Sequence, residues 1–212
     1  MSSKHQIEQE IKLTAPDEAT LDQLINSSIV NQVTRDPGNG YAPRHFAATY
    51  YDTPDWTLRD LRWSLRTRYE GEIHMSTLKR NSIIKHGYSS CEEIEQATEK
   101  GFESIACVPA GKIADALHTV LPKSTALLQR VNVTMARRKR VLKIGRSTLE
   151  LVTDSGFISA NGQQTELHEV ELELLQGDMH EHEVSTFTRQ LINRFTLQPS
   201  CLSKHQIGLS YY

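Results

Sequence analysis

Cysteine is scarce in this sequence, and the three it has, Cys91, Cys107 and Cys201, form an odd set without CxxC spacing. That argues against a disulfide framework and against a zinc knuckle, and it suits a reducing compartment. Long hydrophobic runs are missing too. No uninterrupted apolar stretch approaches the roughly 20 residues a bilayer span requires, and the polar start from Met1 to Gln6 has no apolar region behind it. A cytoplasmic protein without an export signal is expected. Charge of one sign is not in excess either: a formal net charge of -2 offers no basic surplus with which to hold nucleic acid or an acidic membrane. Absent as well are a GxxxxGK[ST] loop, a GxGxxG after a strand, an HExxH pair and a GxSxG elbow, which removes the usual nucleotide folds, zinc hydrolases and serine nucleophiles.

What remains is one chain of 212 residues, 38% hydrophobic. It is long enough for one sizeable core, so a single domain over 1–212 is expected. Most segments alternate with period two between turn residues, as half-buried antiparallel strands do. Eight are expected: Ile7 to Leu13, Phe46 to Asp52, Trp63 to Gly71, Ile73 to Arg80, Ser90 to Gln96, Val131 to Ile144, Leu149 to Asp154 and Glu166 to Leu175. Apolar residues at three and four spacing predict helices over Asp17 to Asn26, Lys112 to Val120 and Glu183 to Arg194. Asp36-Pro37-Gly38-Asn39-Gly40 reads as a loop, and Gly71, Gly87, Gly145, Gly156 and Gly162 as further turns. The fold class is mainly β (α+β).

The alternation sorts the charges. Glu8, Glu10 and Lys12 share one strand face, and so do Glu169, Glu171 and Glu173. Three like charges at i, i+2 and i+4 repel one another, and a bound cation would remove the conflict. Arg66 and Arg68 share another face, Lys79 lies on the next strand, and Lys204 comes near the C-terminus. Glu93 with Glu95, and Glu150 with Asp154, add acidic pairs. On any single strand such a pair is an ordinary solvated face. Repetition over at least five strands instead suggests a barrel closed on itself, with the charges collected inside and helices covering an apolar exterior. Carboxylates are the hard oxygen ligands that Mg²⁺ or Mn²⁺ prefers, and Arg and Lys match phosphate oxygens, so a metal-assisted reaction on a chain of phosphates is the chemistry this pattern favours.

Six segments carry a family resemblance in order: Glu8-Gln9-Glu10-Ile11-Lys12 as ExExK, Tyr50-Tyr51-Asp52-Thr53, Ser64-Leu65-Arg66-Thr67-Arg68, Leu78-Lys79, the acidic strand with Glu169-Val170-Glu171-Leu172-Glu173-Leu174, and Ser203-Lys204. The chain resembles the CYTH domains of the triphosphate tunnel metalloenzymes. The resemblance implies a closed eight-stranded antiparallel β-barrel tunnel with a few covering helices. It implies Glu8, Glu10, Asp154, Glu169 and Glu171 as metal ligands for Mg²⁺ or Mn²⁺. Lys12, Arg66, Arg68, Lys79 and Lys204 would hold phosphates, and Glu93, Glu95, Glu150 and Glu173 would line the tunnel further. Glu8, Glu10, Lys12, Glu169 and Glu171 form the implied catalytic set. The family's arginine on the sixth strand is Arg137 by motif spacing and Arg138 by alternation from Val131, Val133 and Met135, so the choice stays open. The implied activity is hydrolysis of a triphosphate, with inorganic triphosphate favoured by the acidic strand's Gln176-Gly177-Asp178 ending and the Ser-Lys-His-Gln-Ile-Gly tail. Thiamine triphosphate hydrolysis, a class IV adenylyl cyclase and a non-catalytic polyphosphate-binding module are the alternatives. The expected partner is a triphosphate-containing small molecule, with no nucleic acid and no membrane, and a homodimer stays open.

Overall fold

The computed structural model describes residues 4–35 and 42–212, so the loop expected at Asp36 to Gly40 lies outside the described residues. Strands β1 (Lys4–Thr14), β2 (Arg44–Asp52), β3 (Ser64–Glu70), β4 (Ile73–Lys85), β5 (Tyr88–Ala97), β6 (Leu128–Ile144), β7 (Ser147–Ala160) and β8 (Gln163–Gln176) pair antiparallel in the order β5-β4-β3-β2-β6-β7-β8-β1. β5 then pairs back onto β1, so the eight strands close into a barrel. A two-residue strand, β9 (Gln198–Pro199), adds to the end of β1. Short turns join most neighbours. Asn161 and Gly162 both have positive φ, as a two-residue type I′ hairpin requires.

Alternation gives this wall two faces. The outward face is apolar: Leu13, Leu142, Ile144, Leu149, Leu151, Val170 and Leu172 pack under α1 (Glu18–Ile25), α2 (Ser28–Val33) and α5 (His182–Phe195). Asp17 starts α1 by accepting the Thr20 amide at 2.7 Å, and Ser27 caps α2 in the same way. On the other flank Tyr51, Leu65, Leu78 and Ile94 are covered by α4 (Lys112–His118), by Leu58 of α3 (Thr57–Asp60) and by the turn at Ile105–Cys107. The hydrophobic core therefore lies largely outside the barrel.

A third apolar cluster departs from the expectation of a polar interior throughout. Phe46, Ala48, Tyr50, Val131, Val133, Met135, Ile158, Ala160 and Leu167 line one end of the lumen and pack against Ile207, Leu209 and Tyr211. These last residues belong to, or follow, α6 (Lys204–Leu209), which plugs that end. This settles the arginine left open. Val131, Val133 and Met135 face inward rather than outward, the β6–β7 register runs unbroken from Asn132 to Ile144, and Arg137 shares their face. Arg138 points outward to Asp22, at 2.6 Å. No bulge is involved.

Gly156 is a second correction. It does not mark a turn: β7 continues through it, with Gly156 opposite both Met135 and Leu167. A Cβ there would meet the Thr134 carbonyl oxygen at 2.0 Å, so the glycine lets β6 approach closely. Periodicity also missed α2, α3, α6 and β9, all of six residues or fewer.

Candidate functional site

The lumen encloses a cavity of about 680 Å³ lined by charged side chains from seven of the eight barrel strands and from α6. Register decides which charges meet. Lys12 lies opposite Glu171, Asp154 opposite Glu169 on one side and opposite Arg137 on the other. The result is a buried network. Lys12 Nζ donates to Glu171 Oε1 at 2.7 Å and lies 3.1 Å from Glu10. Arg137 grips Asp154 with two parallel bonds of 2.7 and 2.6 Å and reaches Glu171 at 3.4 Å. Lys204 enters from α6 and pairs with Glu169, with Glu171 at 2.8 Å and with Asp154 at 3.0 Å.

A second group sits beside it. Lys79 pairs with Glu8 and lies 3.5 Å from Glu93. Arg66 is 3.9 Å from Glu93 and donates to the Tyr50 hydroxyl at 3.4 Å, while Arg68 pairs with Glu95 at 2.9 Å. Lys139 and Glu150 form a further pair at 3.0 Å. Glu173 faces the cavity with no cationic partner among the described residues.

Burial and proximity pull these groups apart electrostatically. Burial disfavours charge on Glu8, yet Lys79 outweighs it and brings the carboxyl down to about 2. Glu171 is likewise held well below the usual carboxylate range, because Lys12, Lys204 and Arg137 overcome its burial. Burial dominates at Glu169, which is pushed up to about 7 with help from the neighbouring Glu171, and at Glu173, also raised to about 7. Glu10 is raised for the same reason. Burial works against charge on Lys12, Lys79, Arg137 and Lys204 as well, but their carboxylates keep all four firmly protonated.

Every sequence-derived site residue except Arg138 faces this interior or its buried network. Four participants were not anticipated. Lys139 lines the tunnel because it shares parity with Arg137, and Tyr50 turns inward where its neighbour Tyr51 turns out. Cys91 lines the lumen and donates its thiol to Glu8 at 3.2 Å. His205 is buried and stacked on Tyr50, ring centroids 5.0 Å apart. Burial lowers its imidazole to about 4, so it is neutral near pH 7. Its position directly after Lys204 was the available signal.

Asp154, Glu169 and Glu171 each bring an oxygen within 4.8 Å of the others, and all three are buried. Hard oxygen donors converging in this way fit a divalent cation such as Mg²⁺ or Mn²⁺. Arginines and lysines interleaved with them fit the oxygens of a polyphosphate.

A closed antiparallel barrel with a charged lumen and a helical plug is a tunnel protein by architecture. The chain belongs to the CYTH domain family, whose model matches residues 6–198. Members of that family are triphosphatases or cyclases, and divalent-metal dependence follows from the membership. Similar solved structures share the fold. A protein from Hippeastrum described as an adenylyl cyclase candidate with a dominant triphosphatase activity matches at TM-score 0.68 and 16% identity, covering 96% of this chain and 95% of that one. A Bacillus halodurans protein described as an adenylate cyclase candidate matches at 0.58 and 23%, covering 94% of each. A Pyrococcus horikoshii protein matches at 0.56 and 16%, covering 97% and 99%. No helix among the described residues is long and apolar enough to cross a membrane.

Proposed function

We propose that the tunnel binds inorganic triphosphate and hydrolyses it to phosphate and pyrophosphate. The observation that carries this reading is the convergence of Lys12, Arg137 and Lys204 on Asp154, Glu169 and Glu171 inside a buried lumen. Buried ion pairs are poor sources of stability, since desolvation offsets most of the Coulomb gain. Their accumulation here is better explained by a ligand that uses both signs of charge at once.

Lys12, Arg137 and Lys204 would hold one stretch of the phosphate chain, and Arg66, Arg68 and Lys79 the other. Glu8, Glu10, Glu169 and Glu171, with Asp154, are the carboxylates that would hold Mg²⁺ or Mn²⁺, which when bound polarises phosphate oxygens and lowers the charge repelling a nucleophile. A water oxygen attacks the terminal phosphorus as the bond to the bridging oxygen breaks, and a lumen carboxylate takes the proton that water loses. Pyrophosphate leaves as an anion that the arginines and lysines already neutralise, so catalysis is largely positioning and electrostatics.

Purified protein incubated with inorganic triphosphate, ATP or thiamine triphosphate, each with Mg²⁺, Mn²⁺ or chelator, tests this. Metal-dependent phosphate release, fastest from inorganic triphosphate, is the expected result. Cyclic AMP with pyrophosphate from ATP would make the protein a cyclase instead, and tight binding with no turnover would make it a polyphosphate-binding module.

A further inference from the structure

Lys204 must be aimed from a short element. α6 has six residues, too few to hold a helical turn in water unaided. Ser203 and Gln206 form a capping box at its start, and Ile207, Leu209 and Tyr211 fill the apolar end of the lumen. Gly208 lies so close to the wall that a Cβ would meet Val131 Cγ1 at 2.3 Å. These contacts seat the plug, and the approach of Gly208 to Val131 together with the stacking of His205 on Tyr50 restrains its rotation from within the lumen. Rotation is what Lys204 needs fixed, since its ammonium reaches three carboxylates on two strands.

Further directional contacts lie just past the helix, at residues that do not line the cavity. The Tyr212 hydroxyl donates to the Arg130 carbonyl at 3.0 Å, and Asn161 donates its amide to the Tyr211 carbonyl at 2.6 Å. Tyr212 meets Trp56 edge-on with centroids 4.8 Å apart, and the Arg130 guanidinium lies 3.8 Å from the Trp56 ring centre. Arg130 also donates to the carbonyls of Thr53 and Pro54, at 2.9 and 3.1 Å. That loop is itself anchored, because the buried Asp52 accepts the amides of Thr53, Leu58 and Arg59. A continuous series of contacts thus runs from the β2–β3 connection to the end of the plug.

We propose that Trp56, Arg130 and Tyr212 form a latch beyond the end of α6 that completes the fixing of its rotation and thereby positions Lys204 for substrate. These are positioning residues; none of the three touches the lumen carboxylates. The inference rests on the proposed phosphate-binding role of Lys204, and its test separates the two.

Binding of inorganic triphosphate without divalent metal is measured for the full chain, for Tyr212→Ala and Tyr212→Phe, and for Tyr212→Ala in a Lys204→Met background. Amide hydrogen exchange over 204–209 is followed in the same proteins. Tyr212→Ala is expected to weaken binding about tenfold, the scale of one hydrogen bond plus an aromatic contact, and Tyr212→Phe, which keeps the ring, by less. In the Lys204→Met protein Tyr212→Ala should cost nothing further, because the latch acts through Lys204. Exchange over α6 should quicken in Tyr212→Ala. An equal loss in both backgrounds, or unchanged exchange with unchanged affinity, overturns the latch. If the unsubstituted protein binds no triphosphate, the proposed function fails, and exchange alone then decides: faster in Tyr212→Ala upholds a latch on α6, unchanged refutes it.

Discussion

On β6 the two faces of the barrel wall can be compared residue by residue. Outward, Leu142 and Ile144 pack under α1, α2 and α5, and Arg138 reaches past them to a half-exposed Asp22. Inward, Arg137 is buried against Asp154 and Glu171. The outer face removes apolar area from water, which is where folding free energy comes from. Beyond Val131, Val133 and Met135, the inner face holds desolvated charges, which contribute little net stability even when well paired. Apolar burial and the lumen charges thus take opposite sides of this stretch, and substitutions that leave no buried charge unpaired should separate stability from binding.

The largest effect expected is on the lumen side. Glu10→Gln should cut metal-dependent hydrolysis by at least about a thousandfold, roughly 4 kcal/mol of transition-state stabilisation, while leaving the thermal midpoint within a few degrees. A normal rate would remove β1 from the site. On the outer side, Leu142→Ala should lower unfolding free energy by about 2 to 5 kcal/mol, read by denaturant titration, with triphosphate affinity of the folded protein unchanged. A loss of affinity there would show that the two faces are not independent.

His205 sharpens the comparison at the plugged end, where apolar and charged lumen meet. Its folded-state value of about 4 lies below the ordinary 6.5, so the unfolded chain takes up a proton that the folded chain refuses. The stability His205 permits is therefore complete above about pH 6.5 and falls away as pH drops toward 4, by roughly 2 to 3 kcal/mol. His205→Gln should flatten that acid limb in denaturation curves taken from pH 7 to pH 4; an identical limb would place the titration elsewhere. The smallest effect belongs to Arg138. Arg138→Ala should change stability by only about 1 kcal/mol, since its partner Asp22 is half exposed, and leave turnover untouched, while Arg137→Ala, which leaves Asp154 buried without its guanidinium, impairs both.

Much of this was legible in the sequence because strand alternation is a strict geometric rule. Glu8, Glu10 and Lys12, or Glu169, Glu171 and Glu173, can only share a face if their segments are strands, and the resemblance carried by six ordered motifs then implies the closure. What the chain did not disclose has physical causes. Alternation says which residues share a face and not which face is inside, so Val131, Val133 and Met135 read as exterior until α6 was seen filling the lumen beside them. That helix was itself invisible, since six residues do not establish a helical period. Gly156 reads as a turn because the crowding that requires it comes from β6, a different segment.

Closure of the barrel also has a temporal side. β1 pairs with both β5 and β8, and the Lys12–Glu171 contact joins residues 159 positions apart. During synthesis β1 can find β5 early, but its other edge stays bare until β8 has left the ribosome. Pairings of such long sequence separation close slowly, and open strand edges invite association meanwhile. The step that removes the last bare edge is the same one that brings Lys12 to Glu171 and shields both from water. Barrel completion and the joining of Lys12 to Glu171 are then a single late event in folding, and a chain arrested before β8 has neither.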